Sequence, residues 1–125
     1  MTISNYAELA ILNAAFNNTS FVVAQAYVKL HLGDPGEDGT GNPAVETTRK
    51  SVSFGAAASG AVTSDAACTW TTVAATETYS HISLWDTVGP GGGNCLWTGP
   101  MAAPKAVTAG DTFEFPSASI VVSLD

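Results

Sequence analysis

Beyond residue 20 the chain holds no further helical period; short runs alternate apolar and polar residues one for one, and Gly, Pro, Asn or Asp ends each run within a few residues. In residues 26–32, Val28, Leu30 and Leu32 share one face while Tyr27, Lys29 and His31 share the other, as a strand with two different environments requires. The same period of two recurs in residues 51–54, 68–70, 82–84, 95–97, 113–115 and 120–124. Turn chemistry separates these runs: Asp34-Pro35-Gly36, Asp38-Gly39, Gly41-Asn42-Pro43, the stretch from Gly89 to Asn94, and Gly110-Asp111. Seven or so short strands with no helices between them predict an antiparallel β-sandwich of jelly-roll type and rule against a parallel α/β fold. The exception lies at the start. Tyr6, Leu9, Ala10, Leu12 and Phe16 recur at three and four positions behind Ser4, a good N-cap, which predicts a helix over residues 4–16 that Asn17 and Asn18 stop. At 125 residues, with neither a linker nor an internal repeat, the chain reads as one sandwich domain spanning 1–125.

Charge decides which partners such a domain can have. Eleven acidic residues face only Lys29, Arg49, Lys50 and Lys105, a net charge of -7, so the basic stripe that binds phosphates is missing and nucleic acid is an unfit partner. The start has no basic region followed by an apolar run, and no window approaches the apolar length of a membrane span, so the expectation is a protein made soluble in the cytosol with no membrane partner. Cys68 and Cys95 are then expected to stay reduced as small buried hydrophobes. Charged residues are only 12% of the chain, while Ala numbers 20 and Ser plus Thr 26, so small and hydroxylated side chains cover a neutral surface suited to packing against other protein.

Few residues carry the signs of catalysis. Asp34, Glu37 and Asp38 crowd one turn, but the spacing and the distal Glu of a calcium loop are absent, and the segment reads as an acidic surface turn. His31 and His81 lie in strands with Asp86 near in sequence, yet no further ligand stands at metal spacing. There is no Gly-x-Ser-x-Gly and neither cysteine has a base beside it, so the expectation is a protein with no enzymatic activity, cofactor, metal or small-molecule substrate. Trp85 is more informative. If Ile82 and Leu84 point into the sandwich, Trp85 points to the opposite face and calls for a cover: the chain's own helix, a neighbouring subunit, another protein, or a sugar ring stacked on the indole.

Several stretches carry a family resemblance: residues 4–8 with 11–13, residues 27–41, residues 49–54, His81-Ile82-Ser83-Leu84-Trp85-Asp86, residues 92–97, and residues 104–111, with Pro104-Lys105 and Gly110-Asp111 among its more specific parts. In this order they resemble small virion proteins of tailed bacteriophages, a family labelled tail-fibre-like and in some cases assigned as head decoration or cement proteins. The likeness spans nearly the whole chain; Cys68 and Cys95 stand where the pattern leads one to expect aliphatic residues. The resemblance implies a structural role with no catalytic residues to carry over. Two readings follow. The first is a cement protein on the outer surface of the head, a homotrimer bound to the major capsid protein; the second is a fibre- or baseplate-associated component that binds a host carbohydrate. Contact residues expected on these readings are Met1, Thr2, Ile3 and Ser4, as a chain end free to reach outward, the acidic turn at Asp34, Glu37 and Asp38, and Trp85.

Overall fold

The structure is a computed structural model describing residues 1–124. Strand β1 (Thr2–Ile3) leads into helix α1 (Asn5–Phe16), and strands follow in the order β2 (Ala26–His31), β3 (Lys50–Val52), β4 (Ala61–Thr63), β5 (Cys68–Trp70), β6 (Glu77–Trp85), β7 (Cys95–Val107), β8 (Phe113–Phe115) and β9 (Val121–Ser123). All pairings are antiparallel. One sheet has the order β1-β7-β6-β2-β3, and two short ladders, β4-β9 and β5-β8, make up the rest.

The period of two explains how these parts close on one another. Val28 pairs with Leu84 and Leu30 with Ile82, so one face of the large sheet is a continuous aliphatic surface. The ladders answer with Trp70, Phe113, Phe115, Val122 and Cys68, and one apolar core gathers all of these residues. Its aromatic centre is tight: Phe113 lies 5.0 Å from Phe115 and 5.1 Å from Tyr79, both edge to face. The large sheet is therefore one layer of the expected sandwich, and the second layer is a pair of ladders instead of a continuous sheet.

Two register shifts adjust the strands to this core. In β6, Tyr79 pairs with Lys105 but His81 with Pro100, so residues 101–104 of β7 are left over and both Tyr79 and Ile82 reach the core despite their odd spacing. The second lies between Leu84, opposite Trp97, and Trp85, opposite Cys95. Leu96 is the extra residue, which turns Leu96 and Trp97 to the core and leaves Cys95 beside Trp85 on the other face.

The N-terminal residues do not reach outward as expected. Thr2 and Ile3 pair with Thr98 and Trp97 as the edge strand, Met1 packs against the core, and Ser4 is buried. No helix among the described residues is long and apolar enough to cross a membrane.

Candidate functional site

The face of the large sheet turned away from the core carries Lys29, His31, Ser83, Trp85 and Thr98, and it too is covered. Residues 32–43 and 86–94 fold back across it. Trp85, expected to face outward, is only 7% exposed. Its cover is not the helix but three pieces of the chain. The Arg49 guanidinium stacks 4.0 Å above the indole, the Lys29 ammonium lies 5.9 Å away, and Gly39 presses in from the acidic loop. Only glycine fits there: at φ +73 a Cβ on residue 39 would stand 2.6 Å from Cys95 Sγ and 2.8 Å from the Trp85 ring.

Beneath this cover runs a hydrogen-bonded chain. The indole N–H of Trp85 donates to Ser83 Oγ at 2.7 Å, and Ser83 Oγ lies 2.7 Å from His31 Nε2. His31 Nδ1 is 2.8 Å from the Gly41 carbonyl, which can only accept, so Nδ1 carries the proton and Nε2 accepts from the serine hydroxyl. Burial, first, and the nearby Lys29 and His81 charges push the His31 pKa down, against the opposing pull of the Gly41 carbonyl, which favours the neutral ring. A serine bonded to a histidine is the geometry of an activated nucleophile, but both are 0% exposed and the serine oxygen already accepts a hydrogen bond from the indole N–H. The arrangement holds the acidic loop to the sheet. Asp86 takes no part: its carboxylate accepts from the Asn94 backbone and side chain at 2.7 and 2.9 Å and closes the neck of the glycine-rich loop.

Arg49 holds that loop from behind. Its guanidinium donates to the carbonyls of Thr87 at 3.0 Å, Gly92 at 2.8 Å and Pro90 at 3.2 Å. Beyond these carbonyls, a Cβ at Gly89, Gly91 or Gly92 would meet nothing within 4 Å. Both thiols are free and buried, Cys68 in the core and Cys95 under the loop. Burial pushes their pKa values up to about 11 and about 12, which makes them poor nucleophiles at neutral pH.

Above Trp85 a cleft of about 400 Å³ opens between the start of α1, the acidic loop and the glycine-rich loop. It brings together four of the residues singled out from sequence: Ser4, Glu37, Asp38 and Trp85 line it, beside Tyr6, Thr40 and Asn94. Ser4 accepts from the Ala7 backbone as N-cap and donates to the Cys95 carbonyl, which fastens the helix at the cleft edge. Asp38 accepts from the Thr40 backbone and hydroxyl, which hold its carboxyl below the usual carboxylate range. Asp34 caps the Gly36 N–H at 3.0 Å, apart from the cleft, and Met1 lines a different hollow with Pro100 and Met101. Thr2 and Ile3 serve the sheet edge.

Arg49, Gly39 and the His31–Ser83 link escaped the reading of the sequence, because their partners lie 36 to 56 residues away and appear only once the loops fold back. Scarcity was the one available signal for Arg49: in a chain with four basic residues, one beside a strand invites a specific role.

A family model described as podophage GP4 fiber I protein gp80 matches residues 2–123. No curated protein sequence matches the chain.

Proposed function

The chain belongs to the podophage GP4 fiber I protein gp80 family, a family of small phage virion structural proteins, and from that premise we propose that it is a structural subunit of a fibre on a tailed-phage virion, acting by contact and not by catalysis. The match across nearly the whole chain carries this reading. The chemistry of the covered face supports it, since the His31–Ser83 pair there is sealed and serves to hold a loop.

The description of the matching family names a fibre, which favours this reading over the cement reading; residues 2–3, a contact expected on either reading, are paired into the sheet edge. Copy number separates the two. Quantitative mass spectrometry of purified virions is expected to find this protein at a small fraction of the major capsid protein; an amount matching the capsomers would overturn the fibre assignment in favour of a head decoration.

The cleft is the surface through which such a subunit would meet a host carbohydrate. Glu37 and Asp38 offer acceptors for sugar hydroxyls, and Tyr6, 42% exposed, offers a ring face for stacking. With that much negative charge at its rim, it suits neutral sugars over anionic ones. Replacing Glu37 with Gln, Asp38 with Asn and Tyr6 with Ala together is expected to abolish binding to host surface glycan while leaving the fold intact by circular dichroism; unchanged glycan binding removes the cleft from the reading.

A further inference from the structure

The acidic loop is held against the sheet by contacts of two kinds. Pro35 is fully buried and Gly39 presses on Trp85 and Cys95, which is packing that acid does not change. Of the other kind is the hydrogen bond from His31 Nδ1–H to the Gly41 carbonyl at 2.8 Å. Among the described residues, the remaining hydrogen bonds of residues 33–41 run within residues 33–42.

That bond ends a chain that runs in one direction. The Trp85 indole N–H donates to Ser83 Oγ, the Ser83 hydroxyl to His31 Nε2, and His31 Nδ1–H to Gly41. Each group keeps its partner only while Nε2 is bare. A proton there makes Nε2 a second donor aimed at Ser83 Oγ, which already accepts from the indole. The serine hydrogen is then left without an acceptor, since Ser83 Oγ has no third partner among the described residues. The new charge is also sealed, His31 being 0% exposed. Its surroundings give little relief. Lys29 lies on the same strand and His81 stands directly opposite on β6, and the charge of each disfavours a second cation. Arg49, above Trp85, is a cation too, and β7 contributes only the thiol of Cys95. In the loop, Asp34 and Asp38 are turned to their own neighbours Gly36 and Thr40, and Glu37 lines the cleft. A lifted loop relieves the whole strain at once, because water then reaches the ring.

We propose that the Trp85–Ser83–His31 chain is an acid-operated latch on the acidic loop: at neutral pH it holds residues 33–41 down over Trp85, and proton uptake at His31 lifts them. Burial and the Lys29 and His81 charges keep the His31 pKa of the closed form below its ordinary 6.5, a value the ring regains once the loop is open. The open form therefore binds the proton more tightly. Closure is fully favoured above about pH 6.5 and weakens, by at most about tenfold per pH unit, as pH falls from there to the closed-form pKa. Glu37, Asp38 and Thr40 move with the loop, so acid also takes one wall from the cleft. The proposal goes beyond the carbohydrate reading, and its test needs no glycan.

The test is hydrogen exchange of the full chain between about pH 8 and about pH 5, corrected for the intrinsic pH dependence of exchange, with an NMR titration of the His31 ring alongside. Protection of residues 33–41 and of the Trp85 indole N–H is expected to be flat in the upper part of this range and to fall by about tenfold in the lower part, while strands β5 and β8 stay better protected than the loop throughout. The ring is expected to titrate with a midpoint below 6.5, the fall in protection starting above that midpoint and levelling off at it. His31→Gln, whose amide offers a donor and an acceptor but takes up no proton, is expected to remove the fall, and His81→Gln to keep it. Where His31→Gln does not fold, the wild-type ring and loop decide alone. Loop protection that ignores pH, a ring midpoint at or above 6.5, or a fall that persists in a folded His31→Gln overturns the proposal; so does a loop that opens only when the core strands open with it.

Discussion

The two faces of the large sheet are both buried, and they reach that state by opposite means. The core face is closed by shape: aliphatic residues on β2 and β6 meet the aromatic cluster of the two ladders, with few polar atoms to satisfy. The far face is closed by hydrogen bonds, with loops drawn down by His31, Arg49 and a glycine that lets the backbone touch an indole. Apolar packing is non-directional and cooperative, so its loss is felt by the whole molecule; a hydrogen-bonded cover rests on a few geometries, and its loss should open one loop.

Substitutions on each face can break that distinction. The largest effect is expected at Trp70, 1% exposed and packed 5.8 Å from Phe113, with its indole N–H on the Thr48 carbonyl. Trp70→Ala should cost about 3–5 kcal/mol in urea denaturation, with hydrogen-exchange protection falling across all strands together. Arg49→Met keeps the contact with Trp85 but removes the donor to three carbonyls. The expected loss is about 2–3 kcal/mol, with exchange rising first in residues 86–94. Global loss of protection in the Arg49 variant would show that the two faces form one cooperative unit after all.

Gly39→Ala places a methyl against Trp85 and Cys95 in a left-handed backbone, and a cost of about 1–2 kcal/mol from the backbone alone is expected, read as a red shift of Trp85 fluorescence as the acidic loop lifts. The smallest effect is that of pH. Burial holds the His31 pKa below its ordinary 6.5, so in acid the unfolded chain takes up a proton before the folded one does. The stabilisation is complete above about pH 6.5 and is lost as pH falls below that until the folded-state pKa is passed. His31→Gln is expected to flatten this part of the stability profile; an unchanged slope would assign it to other groups.

The core face was legible in the sequence and the far face was not. Strands β5 and β8 coincide with the runs at 68–70 and 113–115, because alternation records burial on one side. The two-residue β1 and the exposed Lys105 and Ala106 of β7 have no such record, since a pairing partner and not a pattern defines them. Trp85 was placed on the correct face, but alternation says nothing about a loop folding over that face. The helix was read from its cap and its period, and the period is real; it does not say whether the apolar side points inward, and here most of it points out.

Because Arg49 grips the carbonyl oxygens of Pro90 and Gly92, which every residue type possesses, the clamp is indifferent to the side chains mounted at the tip of the loop. Gly93 marks the limit of that freedom, since a Cβ there would collide with Thr87 and Asp86. Between Gly89 and Gly92 the chain can change its letters, or take in a short foreign peptide, with little disturbance to the sheet below. That makes the tip a natural place for lineages of this protein to diverge, and for an engineer to retarget it.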